Sequence, residues 1–487
     1  MASVTSTTGI KGRAFAAALG AALAAMGATW NAGPACAADP TNAQLQAEIK
    51  ALKTEVAQLQ AKPATGDQQW TRTQEAAQMK AIAEEVMAES RKQQASALQA
   101  GYNNGFFIQT PNKDFKLTIN GYLQFRYSYA AAGNDTTPAG AAGEHKDYSG
   151  FNFRRARLIL SGNAFKNFIY CISGDFETGI SGAPAGSNNA FAILDTWAGY
   201  KFSPMFIVRA GSMLVPFTHV EYFSSGTEFP DFAVCEYPFD PVRSDALDLE
   251  GAIVPHTFNY EIQINNGSTS QDNGPVGPGG HFGNRMGVYG RVNFAQGGPI
   301  SDFNDSPDVA WHRHLAWLIG AAAGYESQNS TLQTTTSFPS LGEWETGAGN
   351  YTLNGSLSRF TIDAHAKYRG FAFNSALYLQ NISDDAPSPA LAGYASVLET
   401  GYYVEGGYFV IPHRWELAAR FGELMFNHSS EHQYEATGGV NYYIFGENAK
   451  IQAAVTYVNN AAYTNSNLGT TVGTDDLIGQ IQLQFKF

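Results

Sequence analysis

The fold is decided by the alternating stretch Leu477-Ile478-Gly479-Gln480-Ile481-Gln482-Leu483-Gln484-Phe485-Lys486-Phe487. Apolar side chains occupy every second position, at Ile481, Leu483, Phe485 and Phe487. The positions between them are polar, at Gln480, Gln482, Gln484 and Lys486. Because successive side chains of a strand point to opposite faces, this segment has one apolar face and one polar face that can contact water.

The same alternation recurs along most of the chain, as in the stretches 115–129, 258–265, 360–368 and 451–457. About sixteen such segments can be marked, and the connections between them are alternately short and long. This pattern predicts an all-β fold, a transmembrane antiparallel β-barrel of about 16 strands over residues 105–487, with lipid outside and water inside. The segments begin near residues 115, 151, 167, 191, 205, 246, 257, 284, 312, 357, 370, 399, 413, 434, 448 and 476. One connection on the short side, about 295–311, is too long for this scheme.

Composition agrees with a barrel and disfavours nucleic acid as a partner. Only 15% of residues are charged, 13% are aromatic, and the formal net charge is −13. The sequence has no run of the roughly 18 apolar residues that a membrane helix needs. A negative chain has no electrostatic attraction for phosphate backbones.

Residues 1–37 have the features of a secretory signal peptide. Lys11 and Arg13 are followed by an apolar stretch, and Ala35-Cys36-Ala37 offers a cleavage site. A disordered alanine-rich tail and a lipoprotein anchored at Cys36 are the alternatives. Export places the mature chain in a periplasm, an outer membrane or the medium.

Residues 38–62 carry a heptad pattern that predicts a short α-helical coiled coil in the periplasm. Its apolar positions are Leu45, Ile49, Leu52, Val56 and Leu59, a spacing of 4, 3, 4, 3 that is typical of an oligomerising seam. A solvated amphipathic helix is the alternative. Residues 63–104 form a linker with a polar helix at about 74–99.

The polar faces of the strands direct charged side chains of both signs into the barrel. The expected channel-lining arginines are Arg126, Arg155, Arg157, Arg209, Arg243, Arg285, Arg291 and Arg420. Inward carboxylates are expected at Asp175, Glu177, Asp195, Asp248, Glu250, Glu261, Asp363 and Glu416. Arg155 and Arg157 could form an anion-attracting stripe, or the arginines could pair with the carboxylates and simply keep the interior polar.

The connection at about 214–245 is rich in proline and aromatic residues, including Phe217, Phe229 and Phe239. A loop exposed to water would leave these aromatic rings unburied. This loop is therefore predicted to fold into the barrel and form its constriction. It contains Cys235, and the alternation points Cys171 inward. A disulfide between them is one hypothesis, since an exported protein meets oxidising conditions; two free buried thiols are the other.

No catalytic motif or cofactor fingerprint is found, so no enzyme activity, cofactor or metal is expected. His312 and His314 fit a turn better than a metal site. The acidic cluster of Asp302, Asn304, Asp305 and Asp308 fits a solvated turn better than a calcium loop.

Four motifs resemble the phosphate-selective porin O and P family of bacterial outer membranes. The most specific is Phe153-Arg154-Arg155-Ala156-Arg157-Leu158-Ile159-Leu160-Ser161-Gly162 with Phe165-Lys166-Asn167-Phe168, which resembles the family's "RRARLGLSG…FKDF" hairpin. The shorter ones are Tyr122-Leu123-Gln124-Phe125-Arg126, Val208-Arg209-Ala210-Gly211 through Val215-Pro216-Phe217, and Asn441-Tyr442-Tyr443-Ile444. The resemblance implies a sixteen-stranded homotrimeric barrel with a periplasmic coiled coil that passes small anions. A lysine of the family motif is Leu214 here, so one basic group at the constriction is missing.

The function expected from these observations is passive diffusion of small hydrophilic solutes, including anions such as phosphate, through the outer membrane. The partners are then outer-membrane lipid and the solutes themselves. A non-conducting structural protein that tethers the envelope is the main alternative, and a secreted β-rich binding protein is a second.

Overall fold

The computed structural model describes residues 77, 80–81, 98–135, 148–176, 192–267, 286–330, 353–385, 391–463, 470 and 472–487. The chain divides into two units, Met1–Gln94 and Ala95–Phe487. The predicted signal peptide and coiled coil lie outside the described residues. In the first unit, residues 77, 80 and 81 are helical and exposed. The predicted polar helix does not reach residue 99, which begins a strand.

The described part of the second unit forms eighteen β-strands. Their bounds are β1 Gln99–Tyr102, β2 Phe106–Gln109, β3 Lys116–Asp135, β4 Tyr148–Ala164, β5 Phe168–Asp175, β6 Ala192–Ser203, β7 Phe206–Leu214, β8 Arg243–Val254, β9 Phe258–Asn265, β10 Met286–Gln296, β11 Ala316–Ser330, β12 Leu353–Tyr368, β13 Phe371–Asp384, β14 Ser396–Ile411, β15 Trp415–Phe426, β16 His432–Phe445, β17 Ala449–Asn459 and β18 Thr474–Lys486.

Strands β3 to β18 close into one antiparallel barrel. Each pairs with the next along the chain, and β18 pairs back with β3 from Thr474↔Asp135 to Lys486↔Tyr122. The sixteen-strand prediction is confirmed, and every predicted start lies within four residues of an observed one. Closure leaves no unpaired sheet edge in contact with lipid.

Strands β1 and β2 form a small hairpin that sequence reasoning missed. β2 pairs with the first residues of β3, from Phe106↔Ile119 to Gln109↔Lys116, along the same edge that β18 occupies from Tyr122 onward. The hairpin therefore continues the sheet beyond the end of β18. Four residues are too few for alternation to stand out.

The barrel has its polar face inside and its apolar face outside. On β18, the side chain of Leu483 is 49% exposed, whereas that of its neighbour Gln482 is fully buried. Aromatic rings follow one another around the end with short turns, with centroids 4.7–6.4 Å apart among Phe165, Phe168, Tyr200, Phe202 and Phe206. An outer apolar band with an aromatic girdle suits a membrane. Among the described residues, no helix is both long enough and apolar enough to cross a bilayer.

The long connection after β10 has a structural explanation. Residues 297–315 include a 3₁₀ helix, Ile300–Phe303, and fold across the end of the barrel that carries the short turns. Lys367 Nζ on β12 donates to the carbonyl oxygens of Asp302, Asp305 and Pro307 at 2.5–2.9 Å. His413 Nδ1, in the turn after β14, contacts the carbonyl oxygen of Val309 at 2.8 Å. This connection, here called the mouth segment, is long because it reaches across the barrel opening.

Candidate functional site

Residues 215–242, between β7 and β8, lie against the polar faces of strands around the barrel and are here called the inserted segment. They include a short helix, α1, His219–Tyr222. The rings of Phe217 and Phe239 are fully buried, and Phe239 stacks on Tyr378 of β13 with centroids 5.3 Å apart. The apolar residues that sequence reasoning found unsuited to water are therefore packed against the wall.

Asp231 attaches the inserted segment to one side of the barrel. Its carboxylate lies 2.5 Å from Nη1 of Arg126 and 2.8 Å from Nε of Arg154. Gln480 Nε2 on β18 donates to the same carboxylate at 2.7 Å. Two guanidinium groups thus share one buried carboxylate, which makes strong charge-assisted bonds.

Other strands of the barrel hold the segment mainly through its backbone. Arg291 Nη1 on β10 donates to the carbonyl oxygen of Phe217 at 2.6 Å. Further bonds come from β15, β16 and β17. They include Arg420 Nη1 to the Asp231 carbonyl oxygen (3.1 Å), Arg420 Nη2 to the Phe232 carbonyl oxygen (3.1 Å), Asn441 Nδ2 to the Glu228 carbonyl oxygen (2.8 Å), Lys450 Nζ to the Thr227 carbonyl oxygen (2.8 Å) and Val234 N to Glu435 Oε2 (2.5 Å).

Most of the predicted channel-lining arginines pair with carboxylates of the wall or of the inserted segment. Arg209 contacts three of them, Asp248 (2.8 Å), Glu250 (3.2 Å) and Glu261 (2.7 Å). The other pairs are Arg126–Asp231 (2.5 Å), Arg157–Asp175 (2.9 Å), Arg243–Asp195 (2.9 Å), Arg291–Asp363 (2.7 Å) and Arg420–Glu435 (2.7 Å). Arg285 lies outside the described residues. For these arginines, the pairing alternative describes the structure better than a one-sign stripe.

Arg155 is the exception among the predicted channel-lining arginines that the structure describes. Its side chain is 3% exposed, and no described carboxylate lies within salt-bridge distance of it. Its Nη1 donates to Gln124 Oε1 at 3.0 Å, its guanidinium lies over the ring of Phe232 at 5.1 Å, and its Nε has no hydrogen-bond partner.

Arg154 is an inward arginine that strict alternation did not find. The register of β3 and β4 passes from Gln124↔Arg155 to Phe125↔Phe153, so Arg154 is the extra residue of a β-bulge. A bulge turns two successive side chains to the same face. Arg154 therefore reaches Asp231 inside the barrel, next to Arg155. The consecutive arginines were visible in the sequence, but the bulge was not.

The disulfide hypothesis is wrong, because the structure holds Cys171 and Cys235 as free, buried thiols. Cys171 is paired in the sheet between Ser161 and Trp197. Cys235 Sγ donates to the carbonyl oxygen of Tyr402 at 3.2 Å, on β14, which is not a neighbour of β5. The alternative of two buried thiols is the one the structure has.

The acidic cluster in the mouth segment is more ordered than the expected solvated turn. His312 lies between Asp302 (2.9 Å) and Asp308 (2.6 Å), and Asp308 is fully buried. Burial alone would lower the pKa of His312, but the hydrogen bonds and charges of Asp302 and Asp308 outweigh it and raise that pKa above its ordinary value. His314, by contrast, is exposed.

A closed antiparallel barrel with a charged interior, an apolar outer band and a segment folded inside is the architecture of an outer-membrane porin. The chain belongs to the phosphate-selective porin O and P family, whose family model matches residues 122–274 and 315–487. The resemblance carried by the arginine-rich hairpin is thereby confirmed, as is the expectation of an outer-membrane channel.

A comparison with solved structures finds several outer-membrane porins. The anion-selective porin from Comamonas acidovorans is 12% identical, with a TM-score of 0.46 over 76% of this chain and 99% of that chain. OmpF of Salmonella typhi is 15% identical, with a TM-score of 0.47 over 80% and 100%. The channel DcaP of Acinetobacter baumannii is 10% identical, with a TM-score of 0.44 over 77% and 97%. A comparison with curated proteins found no match.

Proposed function

We propose that this porin passes small hydrophilic solutes with a moderate preference for anions, phosphate among them, and that the buried charge of Arg155 attracts them electrostatically. The observation that carries the preference is the isolation of Arg155 from described carboxylates. A guanidinium whose charge is not matched nearby attracts anions through its electrostatic field.

The preference is expected to be moderate because buried carboxylates outnumber buried basic side chains among the described residues. Arg209 faces three carboxylates, so its surroundings are net negative. Leu214 stands where the family motif has a lysine, which removes another positive charge. One unmatched arginine therefore acts against a mixed background.

Pore width would be set by two segments rather than by the wall. The inserted segment is bonded to β3 and to β10 across the barrel, and Ser306 N of the mouth segment donates to the carbonyl oxygen of Gly226 at 2.7 Å. Because these two segments are joined, the narrowest passage is expected beside them, and it would admit only small solutes.

Assembly and targeting complete the proposal. A homotrimer fits the family, and the heptad pattern of residues 38–62 would strengthen it from the periplasm. Residues 1–37 would be removed on export. The role is transport without catalytic turnover.

The test is the reversal potential of the purified porin in a planar bilayer under a potassium chloride gradient. A potential on the anion side, with chloride current reduced by added sodium phosphate, supports the proposal. A cation-side potential, or chloride current indifferent to phosphate, contradicts it.

A further inference from the structure

Two histidines and an aspartate meet inside the barrel, where the inserted segment touches β12. His219 is the first residue of α1, whereas Asp363 and His365 lie two residues apart on β12 and are both buried. One nitrogen of each ring and one carboxylate oxygen all lie within 4.8 Å of one another. The two imidazole centroids are 4.3 Å apart.

Both ring nitrogens of His365 face hydrogen-bond acceptors, which is one more acceptor than a neutral imidazole can serve. Its Nδ1 lies 2.9 Å from Asn374 Oδ1, and its Nε2 lies 3.0 Å from Asp363 Oδ1. Both partners are acceptors, because Asn374 uses its amide nitrogen toward Glu405 at 3.4 Å. A neutral imidazole has one N–H, so a cation, either a proton or a metal ion, is needed between Nε2 and the carboxylate.

Each histidine has its second nitrogen held by an oxygen. His219 Nε2 lies 2.9 Å from the carbonyl oxygen of Phe303, which can only accept, so Nδ1 of His219 carries the lone pair. His365 Nδ1–H is held in the same way by Asn374. Histidines that bind metals are typically oriented by such a bond from the non-ligating nitrogen.

The space and the donor atoms suit a small ion that prefers nitrogen. A cavity of about 20 Å³ lies beside the two histidines, with His219, His365, Glu405 and Arg420 in its lining, and it has room for about one water molecule. Asp363 also accepts from Arg291 at 2.7 and 2.8 Å. One partly neutralised carboxylate with two imidazoles suits zinc-like ions better than calcium.

We propose that His219, Asp363 and His365 bind one divalent transition-metal ion of the zinc class, with water completing its coordination. Two ligands of one zinc ion, each about 2.1 Å from the metal, lie roughly 3.0–3.5 Å apart, and Nε2 of His365 already lies 3.0 Å from Asp363 Oδ1. Because His219 belongs to the inserted segment and the other ligands belong to the wall, the ion fastens the segment in place.

The experiment is calorimetric titration of zinc chloride into the detergent-solubilised, chelator-treated full-length protein without a histidine tag. We expect one ion per chain, with affinity at least about tenfold weaker in H219A and in H365A. H314A removes an exposed histidine outside the site and is expected to bind as the wild type does. Absence of zinc binding by the wild type, or unchanged affinity in either site variant, overturns the proposal in favour of a protonated His365.

A second measurement avoids dependence on the folding of variants. Electron paramagnetic resonance of the wild-type protein with one equivalent of copper(II) is expected to show coupling to two imidazole nitrogens. A spectrum without nitrogen coupling overturns the proposal. Neither readout requires the channel to conduct or to prefer anions, so failure here is distinct from failure of the proposed function.

Discussion

Asp231 of the inserted segment lies 2.5 Å from Nη1 of Arg126 on the first barrel strand, and both side chains are almost completely buried. The same carboxylate receives Arg154, which a bulge in β4 turns inward. Asp231 therefore joins the inserted segment to two adjacent strands of the barrel wall.

Replacing Asp231 by asparagine is expected to release the inserted segment. The substitution keeps the shape of the side chain but leaves two buried guanidinium groups without their shared charge, at a cost of about 3–5 kcal/mol. Single-channel recording should show larger and noisier conductance steps. E431Q changes an exposed carboxylate and should conduct as the wild type does. Identical conductance in D231N would show that the contact does not hold the segment.

Neutralising Arg155 is expected to shift the reversal potential toward cations. R155Q removes an unmatched charge, which acts over distances near 10 Å, and should lower the anion-to-cation permeability ratio about twofold. The double variant R157Q/D175N removes a 2.9 Å ion pair without changing the net charge, and it serves as the control. Equal shifts in both variants would refute a special role for Arg155.

Both cysteines of the barrel are expected to react as free thiols. Under denaturing, non-reducing conditions a maleimide reagent should label Cys171 and Cys235, since the structure has them unbonded. The native protein should label slowly because both are buried. Labelling that appears only after reduction would contradict this expectation and support the disulfide hypothesis.

The mouth segment is expected to be more stable at lower pH. Because the pKa of folded His312 is raised, its stabilising contribution is complete below the unfolded value of about 6.5 and is lost as pH rises through the folded value. The difference in thermal stability between wild type and H312A should therefore be larger at pH 5.5 than at pH 9. H314A should show no such trend, and a difference that grows with pH would contradict the assignment.

Strand number and position could be predicted because lipid and water impose opposite demands on alternate side chains. Alternation indicates the face a residue occupies, but it does not identify the residue met across the barrel. The sequence therefore could not predict the ion pair of Arg291 with Asp363 or the separation of Cys171 from Cys235.

The remaining errors of the sequence-based predictions arise where the backbone departs from long, regular strands. The bulge at Arg154 breaks the two-residue period on which inward assignments depend. The β1–β2 hairpin is too short to show a period. The mouth segment makes contacts with distant turns, such as that of Val309 with His413. The local sequence does not specify such contacts.

The most direct test of the account is swelling of liposomes that contain the purified protein, in sugars of increasing size. A polar interior bounded by the inserted segment predicts rapid swelling in the smallest sugars and a steep decline with solute size. Liposomes that swell no faster than protein-free ones would contradict the transport role and favour a structural, non-conducting barrel.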